Sequence, residues 1–135
     1  MVKLNLNNTG TLVDNSFIIS GAALRIRWMR YRGRFPAKEF LSAYPEDLQA
    51  FLARAEEMAD RGKLTLGSKG HWLTGKHYSS IFEFKMPVTR AFGFRDGNVL
   101  YITNAAKKAD TVKAQTPDYE RAMKLRADFL KRAKK

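Results

Sequence analysis

Hydrophobic and charged residues alternate along one early segment of the chain. Leu24, Ile26 and Trp28 alternate with Arg25 and Arg27, which is the period-two pattern of a strand with one buried face. We therefore predict a strand here, with Trp28 packed in the core. The preceding residues 1–22 are rich in Asn, Thr and Gly. They predict an N-terminal arm that adds an edge strand at the apolar run of residues 17–19.

Helical spacing follows, in two segments that each begin with a proline. Pro36 suits the first turn of a short helix that ends near Ala43, and Pro45 suits the first turn of a longer helix. In the longer segment apolar residues recur at spacings of three and four, which predicts an amphipathic helix that ends at Gly62. Its apolar residues are Leu48, Phe51, Leu52, Ala55, Met58 and Ala59. Together the two helices predict a helical hairpin that covers one face of a sheet.

Three strand patterns follow a loop predicted over residues 63–76. The strands are expected over Ser79–Lys85, Val88–Phe94 and Val99–Thr103. The dipeptide Asp96-Gly97 is a strong hairpin signal between the last two. The three strands thus predict an antiparallel meander.

A last helix is predicted from Thr116 to the C-terminus, with Thr116 as its cap and Pro117 in its first position. The expected fold class is therefore α+β, with an antiparallel sheet, the helical hairpin on one face and a C-terminal helix. The opposite face is left for that helix, for a partner or for solvent. The length of 135 residues suits a single domain, which we place at residues 23–135 after the arm.

The charge of the chain narrows its possible partners. It carries 25 Lys and Arg against 13 Asp and Glu, a formal net charge of +12. Positive charge is concentrated in two blocks, with six basic and no acidic residues over Arg25–Lys38 and 13 basic and 5 acidic residues over Lys85–Lys135. Such a balance attracts polyanions. As a partner, the charge favours nucleic acid over an acidic protein, and either of them over an anionic membrane. The alternative is that the charge has no partner and belongs to solvated faces and a basic tail.

Several classes of site and location are disfavoured by composition. The chain has no Cys, which excludes disulfides, thiolate catalysis and Cys-ligated zinc. His71 and His77 are too few for a His-rich metal centre, so we interpret them as surface residues and expect no metal and no cofactor. No apolar run approaches the roughly 20 residues of a membrane helix, and the N-terminus lacks a signal-peptide core. We therefore expect a cytoplasmic protein with no membrane contact.

Candidate chemistry comes from the parity of the predicted strands. In the strand over Ser79–Lys85, the residues Phe82 and Phe84 are expected to meet the helices, which leaves Glu83 and Lys85 on the open face. A carboxylate and several cations on one basic face provide what RNA cleavage needs. A base takes the 2′-hydroxyl proton, cations stabilise the dianionic phosphorane, and an acid protonates the leaving 5′-oxygen. The alternative is that Glu83 is only a cross-strand ion-pair partner.

Four parts of the chain carry a resemblance in consistent order and spacing. They are EFLSAYPEDLQAFLARAEEMADRG, IFEFK, TRAFGFRDGNVLYI, and AAKKAD with TPDYERAMKLRADF. They resemble parts of HigB-like toxins of the wider RelE/ParE superfamily. The first resembles that family's helical hairpin, the second its strand ending in Glu-Leu-Arg, the third its Tyr-Arg hairpin, and the fourth its Phe-x-Lys-Lys segment and closing helix. The resemblance covers roughly residues 24–130.

This resemblance implies the toxin of a type II toxin–antitoxin system. The usual activity of the family is metal-independent mRNA cleavage on the ribosome, and a cognate antitoxin, expected to be of the helix-turn-helix type, inhibits it. Two alternatives stay open. In the first, the chain is a basic RNA- or DNA-binding module that cleaves nothing. In the second, it is a ParE-like inhibitor of DNA gyrase on the same scaffold.

The resemblance also assigns roles to residues. Glu83 takes the place of the family's strand Glu, Arg90 that of its hairpin Arg, and Lys107 that of the first paired lysine. These three are the expected catalytic residues, with Glu83 as the candidate base or as the residue that orients Arg90. The expected nucleic-acid contacts are Lys85, Arg95, Lys108, Arg25, Arg27 and Arg30. Where the family often has a His or an aromatic residue near the end of its last strand, this chain has the stretch Thr103–Ala106.

Overall fold

The computed structural model describes residues 4–6 and 12–133, which form eight strands and three helices. The strands are β1 (Leu4–Leu6), β2 (Leu12–Asp14), β3 (Phe17–Ser20), β4 (Arg25–Trp28), β5 (Gly70–Trp72), β6 (Ile81–Lys85), β7 (Thr89–Asp96) and β8 (Val99–Lys107). The helices are α1 (Pro36–Ser42), α2 (Pro45–Arg61) and α3 (Val112–Ala133). The fold is α+β, as predicted, and its C-terminal helix is α3. No helix in this part of the chain is long and apolar enough to cross a membrane.

The main sheet has six strands in the order β3-β4-β8-β7-β6-β5. Its pairings are antiparallel except for the one between β4 and β8, which is parallel. The prediction of an antiparallel sheet is therefore correct for the meander and wrong for this pair, so the sheet is mixed. Alternation of apolar residues shows which face a strand buries but not the direction of its neighbour. Within the predicted arm, β3 is the edge strand of this sheet, and β1 and β2 form a separate two-stranded sheet.

Several elements differ in extent from the prediction. The short strand β5 lies inside the predicted loop over residues 63–76. Helix α3 begins at Val112 rather than near Thr116, so Pro117 lies inside the helix. Its cap is Thr111, whose hydroxyl accepts a hydrogen bond from the Ala114 N–H at 3.0 Å. The prediction of Thr116 as the cap is therefore wrong. A Thr before a proline is a typical helix start, but in this chain the helix begins one turn earlier.

Both faces of the sheet are covered. The helical hairpin packs on one face, where Trp28 is 6% exposed and stacks on Phe51 of α2 with ring centroids 5.3 Å apart. Phe82 and Phe84 belong to this core, which confirms that they meet the helices. Helix α3 packs on the opposite face in a second core, whose buried members are Met29, Leu73, Ile81, Phe92, Phe94, Tyr119, Ala122 and Leu125. The face that holds Glu83 is therefore covered by a helix.

Gly21 lies where the chain leaves β3 and passes the end of α2. A Cβ at Gly21 would come within 2.5 Å of the Ala59 carbonyl carbon and within 2.6 Å of the Asp60 nitrogen. Both are backbone atoms of a packed helix, so they cannot move away from the added Cβ without a loss of stability. We expect Gly21→Ala to lower the free energy of unfolding by about 2–3 kcal/mol.

Chemical denaturation measures this loss, and Gly67→Ala is the matched control. A Cβ at Gly67 meets no described atom within 4 Å, so this variant is expected to stay within about 0.5 kcal/mol of the wild type. Equal stabilities of the two variants would contradict the close approach of β3 and α2.

Candidate active site

A cleft lies where the start of α3 crosses the sheet face formed by β6 and β7. The register pairs Lys85 with Arg90 and Glu83 with Phe92, and a pleated strand alternates its faces. Glu83 and Arg90 therefore share the α3 face as diagonal neighbours, with Arg90 Nε 3.7 Å from Glu83 Oε2. The cleft has a volume of about 170 Å³.

Glu83 is the buried carboxylate of this cleft. The residue is only 3% exposed, and burial raises the pKa of its carboxyl because the charged form loses its hydration. The positive charges of Arg90, Lys85 and His71 oppose this rise, Arg90 most strongly. A carboxyl with a raised pKa is a better proton acceptor than an ordinary surface Glu, which is what a general base requires.

Arg90 is held in place by the backbone of its own turn. Its Nη1 donates hydrogen bonds to the carbonyls of Met86 at 2.7 Å and Thr89 at 2.9 Å. The side chain is only 12% exposed. The guanidinium is thus fixed beside Glu83, with charge directed at the cleft rather than free to move in solvent.

His71 is the residue that the sequence-based interpretation missed. Strand β5 pairs with β6 so that His71 is opposite Glu83, and its Nε2 lies 3.8 Å from Glu83 Oε1. Its Nδ1 lies 2.9 Å from the Trp72 carbonyl oxygen, which can only accept a hydrogen bond, so Nδ1 donates. This leaves Nε2 turned towards the carboxylate. The signal was the triplet Gly70–Trp72, which is too short to be recognised as a strand by periodicity.

Tyr119 closes the site from the helix side. It is 5% exposed and contacts Phe92 edge to face at 5.7 Å. Burial raises the pKa of its phenol, and the nearby Glu83 charge raises it further. A second cleft, of about 160 Å³, adjoins the first on the side of His71. The two clefts share Glu83, Lys85, Val112 and Tyr119.

The paired lysines do not join this site. Lys107 pairs with Thr89, whose hydroxyl donates to Asp47 of α2 at 2.6 Å. Thr89 and Lys107 therefore lie on the hairpin face, opposite to Arg90. Lys108 follows the end of β8 and is exposed. Neither lysine lines the cleft. Arg90 pairs with Ala106, and Lys107 is the next residue of the strand, so its side chain lies on the opposite face. The expected convergence of Lys107 with Arg90 is therefore wrong.

The two arginines of β4 lie away from the cleft, because β8 and β7 separate β4 from β6. Arg25 is exposed. Arg27 is 8% exposed, and its Nη1 donates to the Ser16 hydroxyl at 2.9 Å. Arg27 is therefore committed to a contact within the protein.

Arg95 and Arg30 also lie outside the cleft. Arg95 is near the far end of β7 from Arg90, and its Nε donates to the Gly97 carbonyl at 2.7 Å. Arg30 is exposed and lies 5.9 Å from the centroid of the Phe35 ring. Of the predicted site residues, the structure thus brings together Glu83, Lys85 and Arg90, and it adds His71 and Tyr119.

The raised pKa of Glu83 predicts a pH-dependent stability. The pKa of Glu83 in the folded chain lies above the ordinary value of 4.5, which is the value expected in the unfolded chain. At a pH between the two pKa values, the folded chain therefore binds more protons than the unfolded chain. Stability therefore falls as the pH rises through that window. Glu83→Gln removes this titration. We expect wild-type stability to fall relative to that of the variant as the pH rises above 4.5, as measured by urea denaturation.

Glu120→Gln is the control of opposite sign. The pKa of Glu120 is lowered by a hydrogen bond from the Tyr78 hydroxyl and by His77, so its ionised form favours folding at high pH. A stability difference between wild type and Glu83→Gln that does not change with pH would contradict the buried, charge-disfavouring environment of Glu83.

In the described part of the chain, no group of three or more His, Cys, Asp or Glu residues is placed to hold a metal ion. No model of a known protein family matches the chain, and a search of curated proteins finds no match.

Proposed function

We propose that this chain is a metal-independent endoribonuclease, the HigB-like toxin of a type II toxin–antitoxin system. The observation that carries the proposal is the position of Glu83, buried with a raised pKa between Arg90 at 3.7 Å and His71 at 3.8 Å. This combination offers a base, a fixed cation and an imidazole within one small cleft of a strongly basic protein. It is the set of groups that cleavage by the neighbouring 2′-hydroxyl requires.

The proposed reaction uses these groups in order. Glu83 accepts the proton of the 2′-hydroxyl, and the 2′-oxygen forms a bond to phosphorus. Arg90 and Lys85 stabilise the two negative charges of the phosphorane. The bond from phosphorus to the 5′-oxygen then breaks, and His71, in its charged form, gives its Nε2 proton to that oxygen. Lys85, which lines the cleft, takes the role expected for Lys107.

The resemblance to HigB-like toxins supports the biological setting. Its segments form, in order, the hairpin of α1 and α2, the strands β6–β8 and the helix α3. The family often has a His or an aromatic residue near the end of its last strand. In this chain His71 and Tyr119 bring an imidazole and a phenol to the carboxylate from two other elements. The proposed partners are translated mRNA, the ribosome and a helix-turn-helix antitoxin, all in the cytoplasm.

Induced expression in bacteria tests this function. The proposal predicts growth arrest, together with cleavage sites in translated mRNA mapped by primer extension. Growth arrest with broken chromosomal DNA and intact mRNA would instead support a ParE-like inhibitor of gyrase. Unimpaired growth with intact mRNA would overturn the toxin proposal.

A basic RNA-binding module without cleavage is the second candidate, and one observation favours it. Glu83 is 3% exposed because the start of α3 covers it. Among the described residues, an RNA strand would have to reach the carboxylate through two small clefts. Binding of RNA with unchanged strand length, on and off translating ribosomes, would favour this candidate over the nuclease.

A further inference from the structure

A second basic site lies at the far end of α3 from the cleft. Arg30, Arg32 and Arg132 surround a groove of about 460 Å³ that is also lined by Gly33, Phe129 and Ala133. Arg132 is thirteen residues beyond Tyr119, which is about 20 Å along a helix. The groove is therefore a separate site from the cleft at Glu83.

Within the described part of the chain, no carboxylate engages the arginines of this groove. None of the described residues lining it is acidic, and Arg30, Arg32 and Arg132 form no ion pair within the described part of the chain. Arg34 of the same turn differs, because its guanidinium is committed to Glu39 at 2.7 Å. The groove thus concentrates three exposed guanidinium groups with free hydrogen-bonding capacity.

Arg32 occupies a backbone conformation that disfavours it. Residues 31–34 form a tight turn, with the Tyr31 N–H donating to the Arg34 carbonyl at 2.8 Å and the Arg34 N–H donating to the Tyr31 carbonyl at 3.0 Å. Arg32 has φ +52° and Gly33 has φ +77°, the two positive φ values of a type I′ turn. Asn is the favoured first residue of such a turn, and a strained non-Gly residue of this kind often serves a ligand. The strained backbone at Arg32 therefore indicates that its side chain has a function.

Aromatic rings lie in and beside the groove, where they can stack on planar ligands. The Arg32 and Arg132 guanidinium groups lie 5.2 and 5.9 Å from the centroid of the Tyr31 ring. Phe129 forms part of the floor and packs on Tyr101 with centroids 4.4 Å apart. Guanidinium planes and aromatic rings are the surfaces on which unpaired bases stack, while guanidinium groups bind phosphates.

We propose that this groove binds a single-stranded nucleic acid, with Arg32 and Arg132 on its phosphates. An acidic protein segment fits the charge but makes no use of the aromatic floor. The inference does not depend on catalysis at Glu83. It is therefore tested with oligodeoxythymidine, which lacks the 2′-hydroxyl that the proposed reaction needs.

The test is fluorescence anisotropy with a labelled 12-nucleotide oligodeoxythymidine over a range of salt concentrations. The variant is Arg32→Asn combined with Arg132→Gln, since Asn suits the turn and keeps it folded. Loss of two phosphate contacts should weaken binding about 25-fold at about 0.1 M salt and make the slope of log K against log salt shallower by about 1.4. Arg34→Gln, a charge change in the same turn, should leave this slope unchanged.

Two results would overturn the proposal. In the first, the double variant binds the oligonucleotide with the affinity and salt slope of Arg34→Gln. In the second, the double variant loses binding of polyglutamate but keeps binding of the oligonucleotide, which would assign the groove to an acidic protein. Thermal melts of all variants ensure that only folded chains are compared.

Discussion

Replacing Glu83 with Gln is expected to lower the rate of RNA cleavage by about 10²–10⁴-fold, the usual contribution of a general base. Gln keeps the size and packing of the side chain but cannot accept the 2′-hydroxyl proton. Because burial already disfavours the charged carboxyl, the substitution should leave the chain folded. Cleavage of a translated mRNA, quantified by primer extension against folded protein, measures this effect.

Asp47→Asn is the matched control for removing a buried carboxylate. Asp47 is 4% exposed and accepts hydrogen bonds from the Val88 N–H at 3.0 Å and the Thr89 hydroxyl at 2.6 Å. It lies on the hairpin face, away from the cleft. This variant should lose about 1–3 kcal/mol of stability and keep the wild-type cleavage rate per folded molecule. Equal loss of cleavage in both variants would show that Glu83 contributes only to the fold.

Replacing Arg90 with Ala is expected to lower the cleavage rate by about 10²–10³-fold, the effect of losing one fixed charge contact to a transition state. It should also cost stability, because the hydrogen bonds from Arg90 Nη1 to the Met86 and Thr89 carbonyls are lost. The pKa of Glu83 should rise further, since Arg90 is the charge that lowers it most. The acidic limb of the pH–rate profile should therefore move to higher pH.

Arg61→Ala controls for the loss of one positive charge. Arg61 is exposed in the last turn of α2, so its removal should leave the cleavage rate unchanged. Assays at low temperature, with the folded fraction measured by circular dichroism, separate the catalytic effect from the stability effect. A folded Arg90→Ala chain that cleaves at the wild-type rate would remove Arg90 from the site.

Local patterns predicted the helical hairpin and the meander because each depends on chemistry within a few residues. Pro36 and Pro45 begin α1 and α2, and Gly62 ends α2 with φ +76°, which is the left-handed conformation that glycine favours. Alternation in β6 placed Phe82 and Phe84 against the helices. It also placed Glu83 and Lys85 together on the other face, which is where the candidate site lies.

The rest of the site depends on long-range pairing that no local pattern shows. His71 reaches Glu83 only because the three-residue strand β5 joins the sheet edge, and Tyr119 reaches it only because α3 crosses that face. The position of Lys107 was wrong for a similar reason. Its strand partner is Thr89 rather than a residue of Arg90's face, and this register depends on a bulge near Phe92 and Gly93.

The central claim is that the cleft at Glu83 cleaves RNA through the neighbouring 2′-hydroxyl. The most direct test of this claim is the chemical structure of the RNA ends that cleavage produces. Attack by the 2′-oxygen with departure of the 5′-oxygen leaves a 2′,3′-cyclic phosphate on one fragment and a 5′-hydroxyl on the other. We expect these ends after cleavage by the wild type, and no cleavage of a substrate with 2′-O-methyl groups. Fragments that carry a 5′-phosphate and a 3′-hydroxyl would contradict the account.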